Sequence, residues 1–466
     1  MRTRMPQIPG AFTRPLELPA DALEPDPSYR SVLDWVWSFS AGPRTPDVIA
    51  GQRRHKLERM RHLLASVGDP QTRFASLLVA GTKGKGSIVA MLASCLYAAG
   101  YATGRYTSPH LVNWRERVWL DGAPIAAEAV VALAPAVRAA VAALPGTLGM
   151  PTTFEVGTLF AFLHFARRRV RVAVVEVGVG GRLDATNVVE PLVSIIAPIS
   201  YDHTGTLGTT LSEIARHKAG ILRAGRPAVV SPQPPEALRV IEEEAARLAS
   251  PLLLVGRDWR WHSGDGDGGR FDVAGPERLV RDVRVPLLGA HQRDNATAAV
   301  AALAALGEAR VGLAVPVEAV LSGLAGVSWP GRLEVLRTEP TVVVDGAQNA
   351  GSAEVLRQAL SENFSFERLW LVLGVTAGKD VAGILRVLAP LAARVIATQS
   401  RHERAVPPAD LVAALHEVAP SLPSEMQPDM ASALAAALRR AGPRDLVLVT
   451  GSLFLVGEAL TLGAAA

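Results

Sequence analysis

One cysteine, Cys95, occurs among the 466 residues. No intrachain disulfide can form, and a reducing compartment, the cytoplasm, is the expected location. Cys95 falls inside an apolar helical pattern and reads as packing. Long uninterrupted apolar runs are missing too. The Ala-, Leu- and Val-rich stretches are cut by Arg, Glu, Pro or Gly before reaching the roughly 18 residues that a membrane helix needs, so a soluble chain with no membrane partner is expected. Neither sign of charge dominates: 48 Lys+Arg stand against 44 Asp+Glu, a formal net charge of +4. No basic run is interleaved with aromatics, which argues against a nucleic-acid partner and suits a small anionic substrate. Met1–Pro27 is proline-rich and carries Arg2, Arg4 and Arg14, but lacks the apolar segment of a secretory signal; it reads as an N-terminal extension.

An apolar content of 49% at this length supports two or three domains. Short β-branched runs at 170–177, 193–199 and 228–230 alternate with helical patterns at 126–143, 154–168, 211–219 and 235–249, the pattern of a parallel sheet covered on both faces. Gly264–Gly269 reads as a hairpin tip or exposed loop. Helices are expected at 292–306 and near 317–324. Trp329-Pro330-Gly331 then breaks regular structure, and the domain boundary is placed there. Beyond it, strands at 341–344, 369–374, 394–398 and 446–450 are each followed by a helical stretch. The expected fold is α/β: a P-loop-type ATPase domain over 28–328 with a mostly parallel sheet, and a smaller Rossmann-like α/β domain over 332–466.

The most informative segment is Leu77-Leu78-Val79-Ala80 followed by Gly81-Thr82-Lys83-Gly84-Lys85-Gly86-Ser87. A buried strand breaks into glycines whose missing Cβ lets backbone amides close around phosphate oxygens, and a helix from about Ile88 to Ala99 aims its positive end at the same anions. Lys85 supplies a mobile charge for the β- and γ-phosphates. The spacing is tighter than G-x-x-x-x-G-K-[ST], with two residues between Gly81 and Gly84 and a glycine between Lys85 and Ser87. Because ligands gather at the carboxyl ends of strands in such sheets, Glu176, which ends one run, is a magnesium ligand candidate, and His203, after the next run, belongs to the same crevice. His203 is read either as a ligand or as a loop histidine with a structural hydrogen bond. Lys218 closes a helix, where a cation complements the negative dipole end.

Several further segments carry a family resemblance, in order along the chain. They are Tyr106-Thr107-Ser108-Pro109-His110, Thr153-Phe154-Glu155, Glu176 through Asn187, Asp202-His203, Lys218-Ala219-Gly220-Ile221, Trp329 through Glu334, Asp345-Gly346-Ala347-Gln348-Asn349 and Thr450 through Glu458. With the Gly81–Ser87 loop, these resemble folylpolyglutamate synthases and dihydrofolate synthases of the Mur ligase superfamily, over roughly residues 28–458. The resemblance implies that Ser108, Glu176 and His203 bind magnesium, two ions, beside ATP as co-substrate, and that Lys218 is carbamylated by CO₂. It places Lys85, Lys218 and His203 in the catalytic set. Gly81 through Ser87, Asn295, Arg332 and Asp345 contact the nucleotide, and Thr153, Phe154 and Glu155 the pterin. The implied reaction adds L-glutamate to tetrahydrofolate, or to dihydropteroate, through an acyl phosphate in a monomeric enzyme. The chain departs from the family pattern at Lys83 (usually Asn), His217 (commonly Glu), Gln348 (His) and Ala350 (Pro). Two other readings compete: a Mur-type peptidoglycan precursor ligase, disfavoured because the chain leaves no room for a full N-terminal UDP-binding domain, and a nucleotide-binding module without turnover.

Overall fold

The computed structural model describes residues 26–40, 55–263 and 269–463. Of the expected N-terminal extension, residues 1–25 lie outside this set, while Pro27 already opens the helix Pro27–Ser38, capped by the Asp26 side chain. The glycine-rich tip at 264–269 also lies outside the described residues, apart from Gly269; the strands on either side of it pair antiparallel.

Strands β1 (Ala75–Ala80), β2 (Thr103–Tyr106), β3 (Val118–Leu120), β4 (Ala123–Pro124), β5 (Val172–Glu176), β6 (Val193–Ile196), β7 (Ala228–Val230) and β8 (Leu252–Leu254) form one sheet in the order β4-β3-β2-β5-β1-β6-β7-β8. From β2 to β8 it is parallel, and β3 and β4 add an antiparallel edge. The central strands are apolar on both faces because helices cover both. Leu78, Ala80, Val175 and Ile196 face a core built with helices Thr153–Arg167, Leu211–Ala219 and Pro235–Arg247. The alternate residues Leu77, Val79, Val174 and Ile195 face helices Lys85–Ala98 and Ala290–Ala309. A small antiparallel sheet of β9 (Arg260–Ser263), β10 (Arg270–Gly275) and β11 (Arg278–Arg284) packs on that second face through Phe271, Val273 and Val283.

A separate six-stranded sheet is made of β12 (Glu334–Thr338), β13 (Thr341–Val344), β14 (Leu369–Leu373), β15 (Ala392–Ala397), β16 (Ser424–Met426) and β17 (Leu446–Thr450), in the order β12-β13-β17-β14-β15-β16. Only β12 runs antiparallel to its neighbour. Helices Ala350–Asn363, Val381–Leu388 and Pro408–Val418 cover one face; Met430–Arg440 and Leu453–Gly463 cover the other. Among the described residues no helix is long and apolar enough to cross a membrane.

Glu155, grouped by resemblance with the substrate segment, does a structural task here. It is fully buried, and its carboxylate takes Arg59 Nε at 3.0 Å and Nη2 at 3.1 Å. It also closes a capping box with Thr152 at the start of the helix Thr153–Arg167, accepting from the Thr152 amide at 2.7 Å. Arg59 is equally buried and also donates to the Leu148 carbonyl at 2.8 Å. Removing one partner strands a charge in the core, so Glu155→Ala is expected to cost about 3–5 kcal/mol of stability. Urea unfolding checks this. A variant as stable as the parent would show that the carboxylate is free for other work.

Candidate active site

Strand β1 lies between β5 and β6, which the chain visits on opposite sides of it, so the order reverses here and a crevice opens beyond the carboxyl ends. The register places Val79 beside Glu176 and Ala80 beside Ile196. The Gly81 loop, Glu176 and the Tyr201-Asp202-His203 segment therefore leave the sheet side by side. Gly81 has φ +150°, and a Cβ there would sit 2.6 Å from the Ala197 Cβ. Gly84 has φ +76° and caps the helix Lys85–Ala98. The Thr82 and Lys83 amides donate to the Pro198 carbonyl at 2.9 and 3.2 Å, and the Thr82 hydroxyl donates to the Ser200 carbonyl at 3.1 Å. That fastens the loop to the segment after β6. The amides of Lys85, Gly86 and Ser87, in the helix's first turn, have no intrahelical acceptor and are the ones placed to meet an anion.

Lys85 Nζ lies 3.8 Å from Glu176 Oε1, and Glu176 Oε2 accepts the Ser108 amide at 3.1 Å. Burial pushes the Glu176 carboxyl above its usual range, opposed by Lys85, the Ser108 amide, Arg332 and Arg105. Lys218 is buried and donates to the Gly81 carbonyl at 2.7 Å. Burial, then repulsion from Lys85, brings its ammonium down to about 7. This is more than a helix-end cation: the side chain turns inward and touches the phosphate loop. His203 sits at φ +52° as the cap of the short helix Thr204–Leu207, with its side chain 46% exposed. Burial lowers its pKa against the pull of Asp202, with Lys379, Lys85 and Lys218 adding repulsion.

Among the described residues no three His, Cys, Asp or Glu side chains converge as a metal cluster. A Mg²⁺ ion that draws most of its shell from phosphates and water needs only one or two protein oxygens. Glu176, buried beside the loop with Ser108 bonded to it, fits that requirement; His203, a nitrogen donor on the open side, fits it less closely.

From the smaller sheet, Arg332 and Asp345 meet this crevice differently. Asp345 spends its oxygens on the Leu333 amide at 2.9 Å and the Ala347 amide at 2.8 Å, so it shapes the loop that carries Arg332. Arg332 donates to the Gly331 carbonyl at 3.0 Å and is close enough to Asp345 and Glu176 for both charges to raise its pKa against burial. Beside it opens a cleft lined by Pro286, Leu287, Leu288, Trp329 and Val335. Asn295 is buried, with its Oδ1 2.6 Å from where a Gly84 Cβ would be, which puts it against the phosphate loop. Lys83 reaches across to Gly351 in the first turn of the helix Ala350–Asn363, and burial brings its pKa down to about 8 against the pull of Asp202.

A cross-sheet contact was not singled out from the sequence. Asp202 takes Lys379 Nζ at 2.8 Å and Asn349 Nδ2 at 3.4 Å. Lys379 follows the end of β14, so the same strand-end rule that picked Glu176 would have flagged it.

On the other side, Phe154 lies 5.9 Å from the Tyr106 ring and fills the space above Gly178, where a Cβ would come within 2.7 Å of it. The Thr153 hydroxyl is buried with no partner among the described residues. Thr153 and Phe154 thus adjoin the Glu176–Gly181 loop, while Glu155 faces the core. Trp329 seats its indole on Gly86, and the Arg105 guanidinium stacks between Trp119, at 4.0 Å, and Trp329, at 5.1 Å. The link between the two sheets is therefore pinned to the phosphate-loop helix.

Residues 79–303 match the Mur ligase middle domain and residues 331–453 the Mur ligase glutamate ligase domain. The dihydrofolate synthase/folylpolyglutamate synthase of Bacillus subtilis is 36% identical over 410 residues, covering 86% of this chain and 93% of its own. The folylpolyglutamate synthase of Lacticaseibacillus casei is 33% identical over 433 residues, covering 92% and 97%. Among solved structures, Mycobacterium tuberculosis folylpolyglutamate synthase complexed with ADP superposes with a TM-score of 0.83 at 33% identity, covering 94% of this chain and 99% of that one. E. coli FolC in complex with DHPP and ADP gives 0.81 at 30%, covering 93% and 98%. On this combined ground the chain belongs to the folylpolyglutamate synthase/dihydrofolate synthase family, with its Mur ligase architecture.

Proposed function

We infer that the chain is an ATP-dependent carboxylate–amine ligase that adds L-glutamate to tetrahydrofolate, with dihydropteroate an acceptor for the same chemistry. The observation that carries this reading is the convergence of Lys85, Glu176 and Lys218 on the Gly81–Ser87 loop. Relatives solved with ADP support ATP as co-substrate. The lobes, taken as 28–328 and 332–466, meet across the reacting centre, and the enzyme acts as a cytoplasmic monomer.

A carboxylate does not react with an amine in water until an oxygen is converted to a leaving group. One acceptor oxygen attacks the γ-phosphorus, the bond to the β–γ bridging oxygen breaks, and ADP leaves. The glutamate amine then adds to the acyl carbon, loses a proton, and the tetrahedral intermediate expels phosphate. Lys85 and the first-turn amides of its helix hold the β- and γ-phosphate oxygens, and Arg332 brings a second cation from the other lobe, stabilising charge as the phosphoryl group moves. Glu176, Ser108 and His203 are the residues that would hold magnesium, which when bound neutralises phosphate oxygens. Thr153 and Phe154 offer a hydroxyl and a ring to the pterin end. Asn295 holds the nucleotide from below Gly84, and Asp345 acts through the loop bearing Arg332. Bending at Pro330–Gly331, where Gly331 takes φ +71°, closes the lobes over the acyl phosphate and keeps water from it.

A Mur-type ligase acting on a peptidoglycan precursor is the weaker reading, since the full-length likeness is to folate enzymes. With MgATP, bicarbonate and glutamate, phosphate release should depend on tetrahydrofolate, and mass detection should find one added glutamate per phosphate. Release with no acceptor dependence would remove the ligase reading.

The depressed Lys218 pKa favours carbamylation, because only the neutral amine attacks CO₂: a C–N bond forms and a proton leaves, giving an anionic carbamate. Below about pH 7 the ammonium dominates and lacks the lone pair. After CO₂ is stripped, activity should return on adding bicarbonate, at a rate that climbs as pH rises through about 7. Lys218→Ala should lower kcat at least a hundredfold, or about 2.7 kcal/mol in barrier. A nearly active alanine variant, or a recovery rate flat with pH, would favour a plain structural lysine.

A further inference from the structure

Lys56 opens the helix Lys56–Ala65, so its cation stands at the positive end of the helix dipole, where it is locally unfavourable. What holds it there comes from elsewhere in the chain. Its Nζ lies 3.7 Å from Asp184 Oδ2 and 5.9 Å from the centre of the Phe154 ring. Asp184 is fully buried and its hydrogen bonds are spent on its own loop: Oδ1 accepts the Thr186 amide at 3.0 Å and the Thr186 hydroxyl at 2.7 Å, and Oδ2 accepts the Val179 amide at 3.1 Å. At 3.7 Å the Lys56 ammonium is balanced by charge alone, and among the described residues none of its N–H groups is spent on a hydrogen bond.

This arrangement borders the site already described. Phe154 covers Gly178, and the next residue, Val179, supplies the amide that fixes Asp184. Val179 is three residues past Glu176, a span of at most about 11 Å. The methylene, nitrogen and benzene ring that separate a pterin from its carboxyl group bridge a comparable length. The surroundings suit a flat heterocycle with a polar edge. Val179 and Leu183 are exposed apolar side chains on the loop that Asp184 braces, and the Thr153 hydroxyl beside Phe154 is buried with no partner among the described residues. An aromatic wall, exposed apolar neighbours and two unspent polar groups thus share one end of the crevice.

Because Asp184 already balances its charge, Lys56 calls for a lone pair rather than a full negative charge. A pterin ring carries one carbonyl, at C4. We propose that Lys56 donates a hydrogen bond to the C4 carbonyl of a pterin set against Phe154, and so selects 4-oxo over 4-amino acceptors. The proposal rests on the folate-ligase reading, which gives Thr153 and Phe154 to the pterin and leaves Lys56 without a role. A 4-amino group would present N–H to the ammonium, donor against donor, and the bond would be lost.

The test compares kcat/KM for tetrahydrofolate and 4-amino-4-deoxytetrahydrofolate, which differ at that one position, in the parent, Lys56→Met and Lys56→Arg. The parent should prefer the 4-oxo acceptor by about tenfold or more, the scale of a charge-assisted hydrogen bond. Lys56→Met keeps the aliphatic stem and should bring the ratio close to one by raising the KM for tetrahydrofolate, with the KM for ATP unmoved; Lys56→Arg should recover part of the preference. Since Lys56→Met leaves Asp184 buried without its cation, the double variant carrying Lys56→Met and Asp184→Asn, which removes both charges, is measured beside it and should lose the preference equally. A parent that uses both acceptors alike, a preference that survives in either methionine variant, or a loss that falls equally on the two acceptors overturns the role given to Lys56. A parent that releases no phosphate with tetrahydrofolate, its 4-amino analogue or dihydropteroate would instead overturn the ligase reading beneath it.

Discussion

The pairing of β1 with β5 on one side and β6 on the other is the constraint on which the site depends. With Val79 set beside Glu176 and Ala80 beside Ile196, three chain segments must leave the sheet at one place. Two short polar contacts then hold the exits together: Pro198 accepts the loop amides, and Lys218 reaches the Gly81 carbonyl. A slip of one residue in the β1–β5 pairing would turn Glu176 to the opposite face and leave Lys85 without a carboxylate.

Charge follows from this geometry. Lys85, Lys218, Lys83, Arg332 and Arg105 surround a crevice whose acids are Glu176, Asp202 and Asp345. Burial holds Lys218, Lys83, Arg332 and Arg105 down and Glu176 and Asp345 up. Asp202 is the exception: burial would raise it, yet the hydrogen bond from Lys379, with the charge of His203 beside it, brings it below its usual range. The surplus of cations is the electrostatic counterpart of a triphosphate. The contact between Asp202 and Lys379 joins the two sheets through the loop that carries His203.

Much of this was legible in residue pattern. The helix Leu211–Ala219 and the strands Ala228–Val230, Thr341–Val344 and Leu446–Thr450 begin and end where their apolar periodicity does. The pattern predicts the helix after the phosphate loop from near Ser87, whereas it starts at Lys85, because its first turn is lysine, glycine and serine and carries no apolar signal. The strand expected over 193–199 stops at Ile196, since Ala197 and Pro198 turn to face the loop, Pro198 by its carbonyl. The structural role of Glu155 is hidden for a related reason. A glutamate three residues after a threonine reads as a capping box on its own, but its partner Arg59 lies 96 positions away and no local pattern reveals it. The same separation hid Asp202 and Lys379, 177 positions apart.

The central claim is that the acceptor's own carboxylate becomes the phosphoryl acceptor, and label transfer tests it most directly. A tetrahydrofolate carrying ¹⁸O in its γ-carboxylate is turned over with MgATP and glutamate, and the released phosphate is weighed by mass spectrometry. An acyl phosphate formed between Lys85 and Arg332 requires label in the phosphate, one atom for each amide made. Amide formed with unlabelled phosphate would contradict the account, since the carboxylate would then have been activated by some other route.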